Sequence, residues 1–281
     1  MIRFLVDTSS DYLPEEMEKK GIEFVPLQLS IGEKNYLDGV DISREEFFRL
    51  LIEDEVFPKT SQPSAVAFQE IFEDVKKKGD EMICIPISST LSGTFQSAMV
   101  AKKMVDYEKI YLVDSMTATY AIKILTDHAC KMREEGKSAQ EIVQVLETLK
   151  KRIRIEFVVD TLEYLYRGGR LSKAAATLGT LANIKPVLGL DGEGIIKVEE
   201  KCLGLPRAYK AIIHKLQRVR PDTAFPIYTL YSYGTENTEN LEKALRQAEI
   251  PITERLQIGA TIGTHIGPGA AGLIYIAEET E

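Results

Sequence analysis

Three short, almost wholly apolar runs in the first half of the chain each stop at a loop rich in hydroxyl side chains. IRFLVD leads into TSSD, MICIPIS (Met82–Ser88) into STLSG, and KIYLVDS (Lys109–Ser115) into MTAT. Near-continuous apolar strands, rather than alternating ones, belong to parallel sheets covered on both faces. The intervening stretches have helical signals. PSAVAFQEIFEDVKKKG opens on a Pro-Ser cap and closes on lysines and a glycine, as the helix dipole prefers. SGTFQSAMVAKKMV, TATYAIKILTDHACKMREEG and SAQEIVQVLETLKKRI follow it. The pattern predicts an α/β fold whose N-terminal domain is a mostly parallel sheet with helices on both faces. Ligands bind beyond the carboxyl ends of the strands in such sheets, which is where the hydroxyl-rich loops fall.

The pattern changes near residue 155. IKPVLGLDGEGIIKVEE reads as two extended runs around a hairpin turn. A helix over Pro206–Val219, a strand over Phe225–Ser232, a helix over Glu236–Ala248 and a glycine-rich tail complete a second, smaller α/β unit. The expected domains are 1–154 and 155–281, packed on each other with a ligand between them.

A net charge of −8 and a pI near 5.2 argue against a nucleic-acid partner, which needs clustered excess cations. The N-terminus reaches Asp7 after too few apolar residues for a signal peptide, and no run approaches a membrane span. Three cysteines, Cys84, Cys130 and Cys202, lie far apart without metal-ligand spacing. A cytoplasmic protein without metal, cofactor or integral membrane association is the expectation.

Serine is the obvious nucleophile. Ser92 in TLSGT sits in a strand-to-helix turn, but a nucleophile elbow wants glycine two residues earlier, where this chain has Thr90. His128 and His214 fall inside expected helices, so a Ser-His pair is possible only through His265. RGGRLSKAAA lacks the spacing of a phosphate loop. What remains is a set of neutral donors: Thr60, Ser61, Ser88, Ser89, Ser92 and Thr94 at the rim of one sheet, and His265 among glycines. Donors without a nucleophile-and-base pair suit holding a carboxylate or phosphate. The same residues also serve as ordinary helix caps and turn formers. Arg167 and Arg170 in LYRGGRLS read either as helix-end charges or as groups that orient a hydroxyl network.

Taken in order, DTSSDYLP, YLDGVDIS, KTSQPS, SSTLSGTFQSA, VDS, YLYRGGRLSKAAATLG, IKPVL and THIGPGAAG resemble the DegV family, from residue 2 to residue 276. The resemblance implies a bacterial fatty acid-binding protein, not an enzyme, in which two α/β domains enclose a tunnel for a long acyl chain. Carried over by motif, the carboxylate is held by Thr60 of the TSQP loop, with Ser61 beside it, and by Ser92 of the LSGT loop. His265 matches the family histidine and Arg170 the second arginine of GGR. Members similar to the acyl-carrying subunit of fatty acid kinase present the carboxylate to a separate ATP-using subunit, which makes an acyl phosphate for phospholipid synthesis. One departure bears on that partner: many members carry arginine in a KxRG segment, and here KCLG puts Leu203 in its place.

Burying an acyl chain gains about 0.8 kcal/mol per methylene, or roughly 10 kcal/mol for a long chain before ordering costs. An unpaired buried carboxylate is the liability, and hydroxyl donors offset it. The alternative from another class is a serine hydrolase acting on acyl esters through Ser92 and His265, and a phosphate or nucleotide binder is a third.

Overall fold

A computed structural model describes residues 1–53, 57–176 and 183–279. Residues 177–179, the end of the YLYRGGRLSKAAATLG motif, lie outside the described residues. Two compact units make up the chain, one of Met1–Ser43 with Thr60–Lys151, the other of Arg44–Lys59 with Arg152–Glu281. Packing therefore assigns Arg44–Lys59, which chain order places among the first 154 residues, to the second unit.

The first unit begins with β1 (Ile2–Asp7), α1 (Pro14–Lys20), β2 (Ile22–Val25), β3 (Gln28–Ile31) and β4 (Lys34–Leu37). Next in sequence comes α2 (Arg44–Glu53), which belongs to the second unit. The first unit resumes through β5 (Lys59–Ser61) into α3 (Ala65–Lys78), β6 (Glu81–Cys84), α4 (Thr94–Val105), β7 (Ile110–Leu112), α5 (Tyr120–Glu134) and α6 (Ala139–Leu149). The main sheet has the order β2-β1-β6-β7 with every pair parallel, as the apolar runs predict. Leu5, Met82 and Cys84 from its strands pack with Phe68, Phe72 and Val75 of α3 and Ala98 and Ala101 of α4. Ser64 caps α3 by accepting from Ala67 N at 3.2 Å, and Gly79 ends it at φ 70°.

Sequence pattern missed a second, three-stranded sheet of order β4-β3-β5. Lys59–Ser61 looks like loop because it is short, polar and followed by Gln-Pro, yet it pairs as an edge strand. Edge strands tolerate such residues because only one side of the backbone needs a partner.

In the second unit α2 is followed by β8 (Ile153–Val158), α7 (Glu163–Arg167), α8 (Lys173–Ala176), β9 (Val187–Leu190) and β10 (Ile196–Glu200). Then come α9 (Leu205–Arg218), β11 (Tyr228–Tyr231), α10 (Glu236–Gln247), β12 (Glu254–Gln257), α11 (Ala260–Ile266) and β13 (Ala271–Ile276). Its sheet is the larger one, six strands in the order β10-β9-β8-β13-β11-β12, and it is mixed. The β9–β10 hairpin turns where Asp191 Oδ1 accepts from Glu193 N and Ile195 N at 2.9 and 3.0 Å. β11 and β12 are parallel across α10. Glu-Arg-Leu-Gln carries no apolar run, so β12, the strand directly before α11, is invisible to hydrophobic pattern. Leu273 and Tyr275 of β13 pack with Ala208 and Ile212 of α9 and Leu241 and Leu245 of α10. No helix among the described residues is long and apolar enough to cross a membrane.

Candidate functional site

The hydroxyl-rich loops of the first unit follow β1, β6 and β7, and hydrogen bonds knit them in a closed cycle. Asp7, the last residue of β1, is fully buried. Its Oδ1 accepts from Ser9 N at 2.9 Å and from the Ser9 hydroxyl, and its Oδ2 accepts from Ile87 N, in the loop after β6, at 2.8 Å. Burial pushes the Asp7 carboxyl up to about 6, against the pull of these donors. Ser88 N, in that second loop, donates to Thr117 O of the third at 2.9 Å. Thr119 Oγ1, at the start of α5, donates to Asp11 Oδ2 of the first at 2.5 Å. Met116 and Thr119 hold positive φ (53° and 56°), a strain the cycle maintains.

Ser92 ends the second loop, half-buried. Its Oγ lies 2.8 Å from Thr94 Oγ1 and accepts from Thr94 N at 3.3 Å, so the side chain is oriented over the first turn of α4. Gly93 between them has a packing reason. A Cβ there would stand 1.7 Å from Gln62 Oε1, while Gln62 Nε2 donates to Ser97 Oγ of α4 at 2.9 Å. Gln62 thus lays the Thr60–Ser61 segment against the Ser92 turn. Thr60 is half-buried and Ser61 exposed, both on β5. Sequence reasoning did not foresee this packing role of Gln62. The available signal was a Gln-Pro pair in one loop and a glycine in the other.

Arg170 and His265 come together in the second unit. α7 ends at Gly168 and Gly169, whose φ of 74° lets Arg170 N bond back to Leu165 O at 2.9 Å. The Arg170 guanidinium folds onto Gly168 O through Nη1. His265, on α11, lies over the same glycine, where a Cβ would stand 2.2 Å from its Nδ1. Burial first, then the Arg170 charge, hold His265 down at about 4, and burial also lowers Arg170. A neutral imidazole donates one hydrogen bond and accepts another at neutral pH, but it is a weak base.

α11 is itself tightly seated. A Cβ on Gly263 would meet Phe48 and Phe47 of α2 at 2.8 and 2.9 Å, and one on Gly267 would meet the Tyr164 ring at 2.3 Å. The borrowed segment α2 thereby buttresses the helix that carries His265. His128 and His214 lie on α5 and α9, as expected. The three cysteines are buried and unbonded to one another, and no group of three or more His, Cys, Asp or Glu among the described residues could hold a metal ion.

The first unit thus carries hydroxyl donors in the loops beyond its parallel sheet and on β5 of the three-stranded sheet, and the second carries a His-Arg pair. The chain belongs to the DegV family: residues 1–278 match the family described as "Uncharacterised protein, DegV family". A DegV domain-containing protein of Caldanaerobacter subterraneus is 41% identical over 98% of both chains. Among solved structures, a fatty-acid-binding DegV family protein from Thermus thermophilus is similar at a TM-score of 0.87 and 31% identity, over 99% of both chains. A stearic acid-binding protein from Eubacterium ventriosum has the same TM-score at 29% identity, covering 99% of this chain and 98% of that one.

Proposed function

We propose that this chain binds a long-chain fatty acid and performs no catalysis of its own. The observation that carries the reading is its nearly full-length similarity, in sequence and in fold, to the fatty-acid-binding protein of Thermus thermophilus. The local geometry supports it. In this reading Thr60, Ser61 and Ser92 of the first unit supply hydroxyls that hold the carboxylate, with Gln62 setting their segments against each other, and His265 and Arg170 are assigned to fatty acid binding by the family resemblance alone. Hydroxyl donors offset the cost of burying a carboxylate while leaving an oxygen reachable.

A hydrolase through Ser92 and His265 would need the histidine to take a proton near neutral pH, and a group held at about 4 is poorly matched to that task. The reading extends to presentation of the carboxylate to a separate ATP-using kinase subunit. Leu203 is exposed, so its side chain is available at the surface at the position where many members carry arginine. With a kinase subunit supplied, acyl phosphate formation should rise in Leu203→Arg if that position docks the partner.

The deciding experiment is organic extraction of the folded protein with mass spectrometry, followed by rebinding to Thr60→Ala and Ser92→Ala. A long-chain fatty acid recovered in stoichiometric amount, with each variant binding about tenfold more weakly, is the expected result. A protein that yields no fatty acid and takes up none when it is added overturns the reading.

A further inference from the structure

Ser92 and Thr94 form one hydrogen-bonded hydroxyl pair, and burial decides which of them gives its proton to the other. Thr94 opens α4 and is fully buried, whereas Ser92 is half-buried and so can be met by a ligand. The two oxygens stand 2.8 Å apart, a separation at which either could donate. Among the described residues, the Thr94 hydroxyl bonds to Ser92 Oγ and to no other group. If Thr94 accepted, its own proton would be stranded in the interior, and a buried donor without an acceptor is costly. If Thr94 donates, its proton is placed on Ser92, and the Ser92 proton is left for a group outside the pair.

Thr94 N adds a second hydrogen bond to Ser92 Oγ at 3.3 Å. A hydroxyl oxygen has two lone pairs and one proton. With both lone pairs taken by Thr94, what Ser92 has left to offer is its proton. The backbone of the turn is fixed by the same loop. Ser92 N donates to Ser88 O at 3.1 Å, and Ser88 N donates to Thr117 O at 2.9 Å. All of these groups belong to the first unit, and each link is a hydrogen bond. A carboxylate accepts and never donates, so it suits a serine of this kind. A neutral hydroxyl head group gains less, because the proton it carries finds no lone pair on Ser92.

We propose that Thr94 is a positioning residue for carboxylate recognition: it commits the Ser92 hydroxyl to donation and thereby favours an anionic head group over a neutral hydroxyl one. The proposal rests on the fatty-acid reading above, with Ser92 as a carboxylate contact.

The test compares the affinity of the full chain for stearate and for 1-octadecanol, which has the same number of carbons and a hydroxyl head. Thr94→Val keeps the shape of the side chain and removes the hydroxyl, while the backbone N–H stays. Stearate affinity is expected to fall about fivefold and 1-octadecanol affinity to change by less than about twofold, with Thr94→Ser restoring the preference. In a Ser92→Ala background Thr94→Val should have no further effect on stearate, because it acts through the missing hydroxyl. Unaltered stearate affinity in Thr94→Val overturns the proposal. So does an equal loss for the two ligands, or a further loss in the Ser92→Ala background, either of which would mark a general packing role. If the unsubstituted protein binds no stearate, the functional reading falls and the proposal with it. If it binds stearate just as tightly without the Ser92 hydroxyl, the ligand stands and the proposal alone falls. Should Thr94→Val not fold, Thr94→Ala also removes the hydroxyl and is read by the same criteria.

Discussion

The two polar clusters of this protein are built by opposite means. In the first unit, side-chain and backbone hydrogen bonds hold the loops, with Asp7 joining the loops after β1 and β6 through three donors. In the second, missing side chains do the holding: Gly168, Gly263 and Gly267 let His265, two phenylalanines and Tyr164 approach backbone at distances a methyl group would forbid. A site made of hydrogen bonds fails by losing an acceptor, whereas one made of close packing fails by gaining an atom.

The largest effect should come from gaining an atom. Gly267→Ala adds a Cβ at 2.3 Å from the Tyr164 ring and forces alanine to φ 70° with ψ near 180°, a region open to glycine alone. Overpacking and backbone strain together should cost about 3 kcal/mol or more, read from denaturant midpoints. A shift under 1 kcal/mol would show that the second unit is soft and break the contrast. Next in size is Asp7→Ala. It strips acceptors from two buried backbone N–H groups, Ser9 and Ile87, and should cost about 2–3 kcal/mol. If the first cluster is held by hydrogen bonds, hydrogen exchange should rise in all three loops, not only in the one after β1.

The same contrast explains what could be read in advance. The parallel sheet was legible because IRFLVD, MICIPIS and KIYLVDS are apolar runs buried on both faces. β12 and β5 were not, because a polar strand such as Glu-Arg-Leu-Gln owes its state to pairing with β11 rather than to its own side chains. Thr60, Ser61 and Ser92 could be singled out as hydroxyls, though Thr60 and Ser61 lie on β5 of the three-stranded sheet and not at the rim of the parallel one, and Gln62 could not be singled out at all. Its role depends on an empty Cβ position 31 residues away, on Gly93. Packing of Arg44–Lys59 with the second unit was likewise hidden, since chain order says nothing about which core Phe47 and Phe48 enter.

Acid should act on the two clusters with opposite sign. Asp7 is raised from the usual carboxylate range to about 6, so between about 4 and 6 the folded state holds more protons than the unfolded state. Its contribution is present at low pH and lost as pH rises through 6. His265 is lowered to about 4, so between 4 and about 6.5 the unfolded state holds more protons, and stability from this group falls as pH drops. Asp7→Asn minus the unsubstituted protein should therefore give a stability difference that grows more favourable to the variant as pH rises from 4 to 6. His265→Gln should give one that grows more favourable as pH falls across the same window. Each excursion should be about 2 kcal/mol at most. Differences of the same sign would mean that the two groups do not sit in the environments described here.

The smallest effect tests the one place where the first unit borrows the second unit's device. Gly93 makes room for Gln62, but Gln62 is exposed and its amide is the flexible end of a long side chain. Gly93→Ala should therefore cost only about 1 kcal/mol, as the amide swings away and its bond to Ser97 Oγ is lost. Gln62→Ala should cost a similar amount for the same bond. In the double variant the alanine at 93 meets no obstacle, so the combined cost should fall about 1 kcal/mol short of the sum. Full additivity would show that Gln62 does not tie the Thr60 segment to the Ser92 turn. A shortfall in stability matched by a shortfall in stearate affinity would support the proposal that Thr60 and Ser92 hold one carboxylate, with Gln62 as the tie between them.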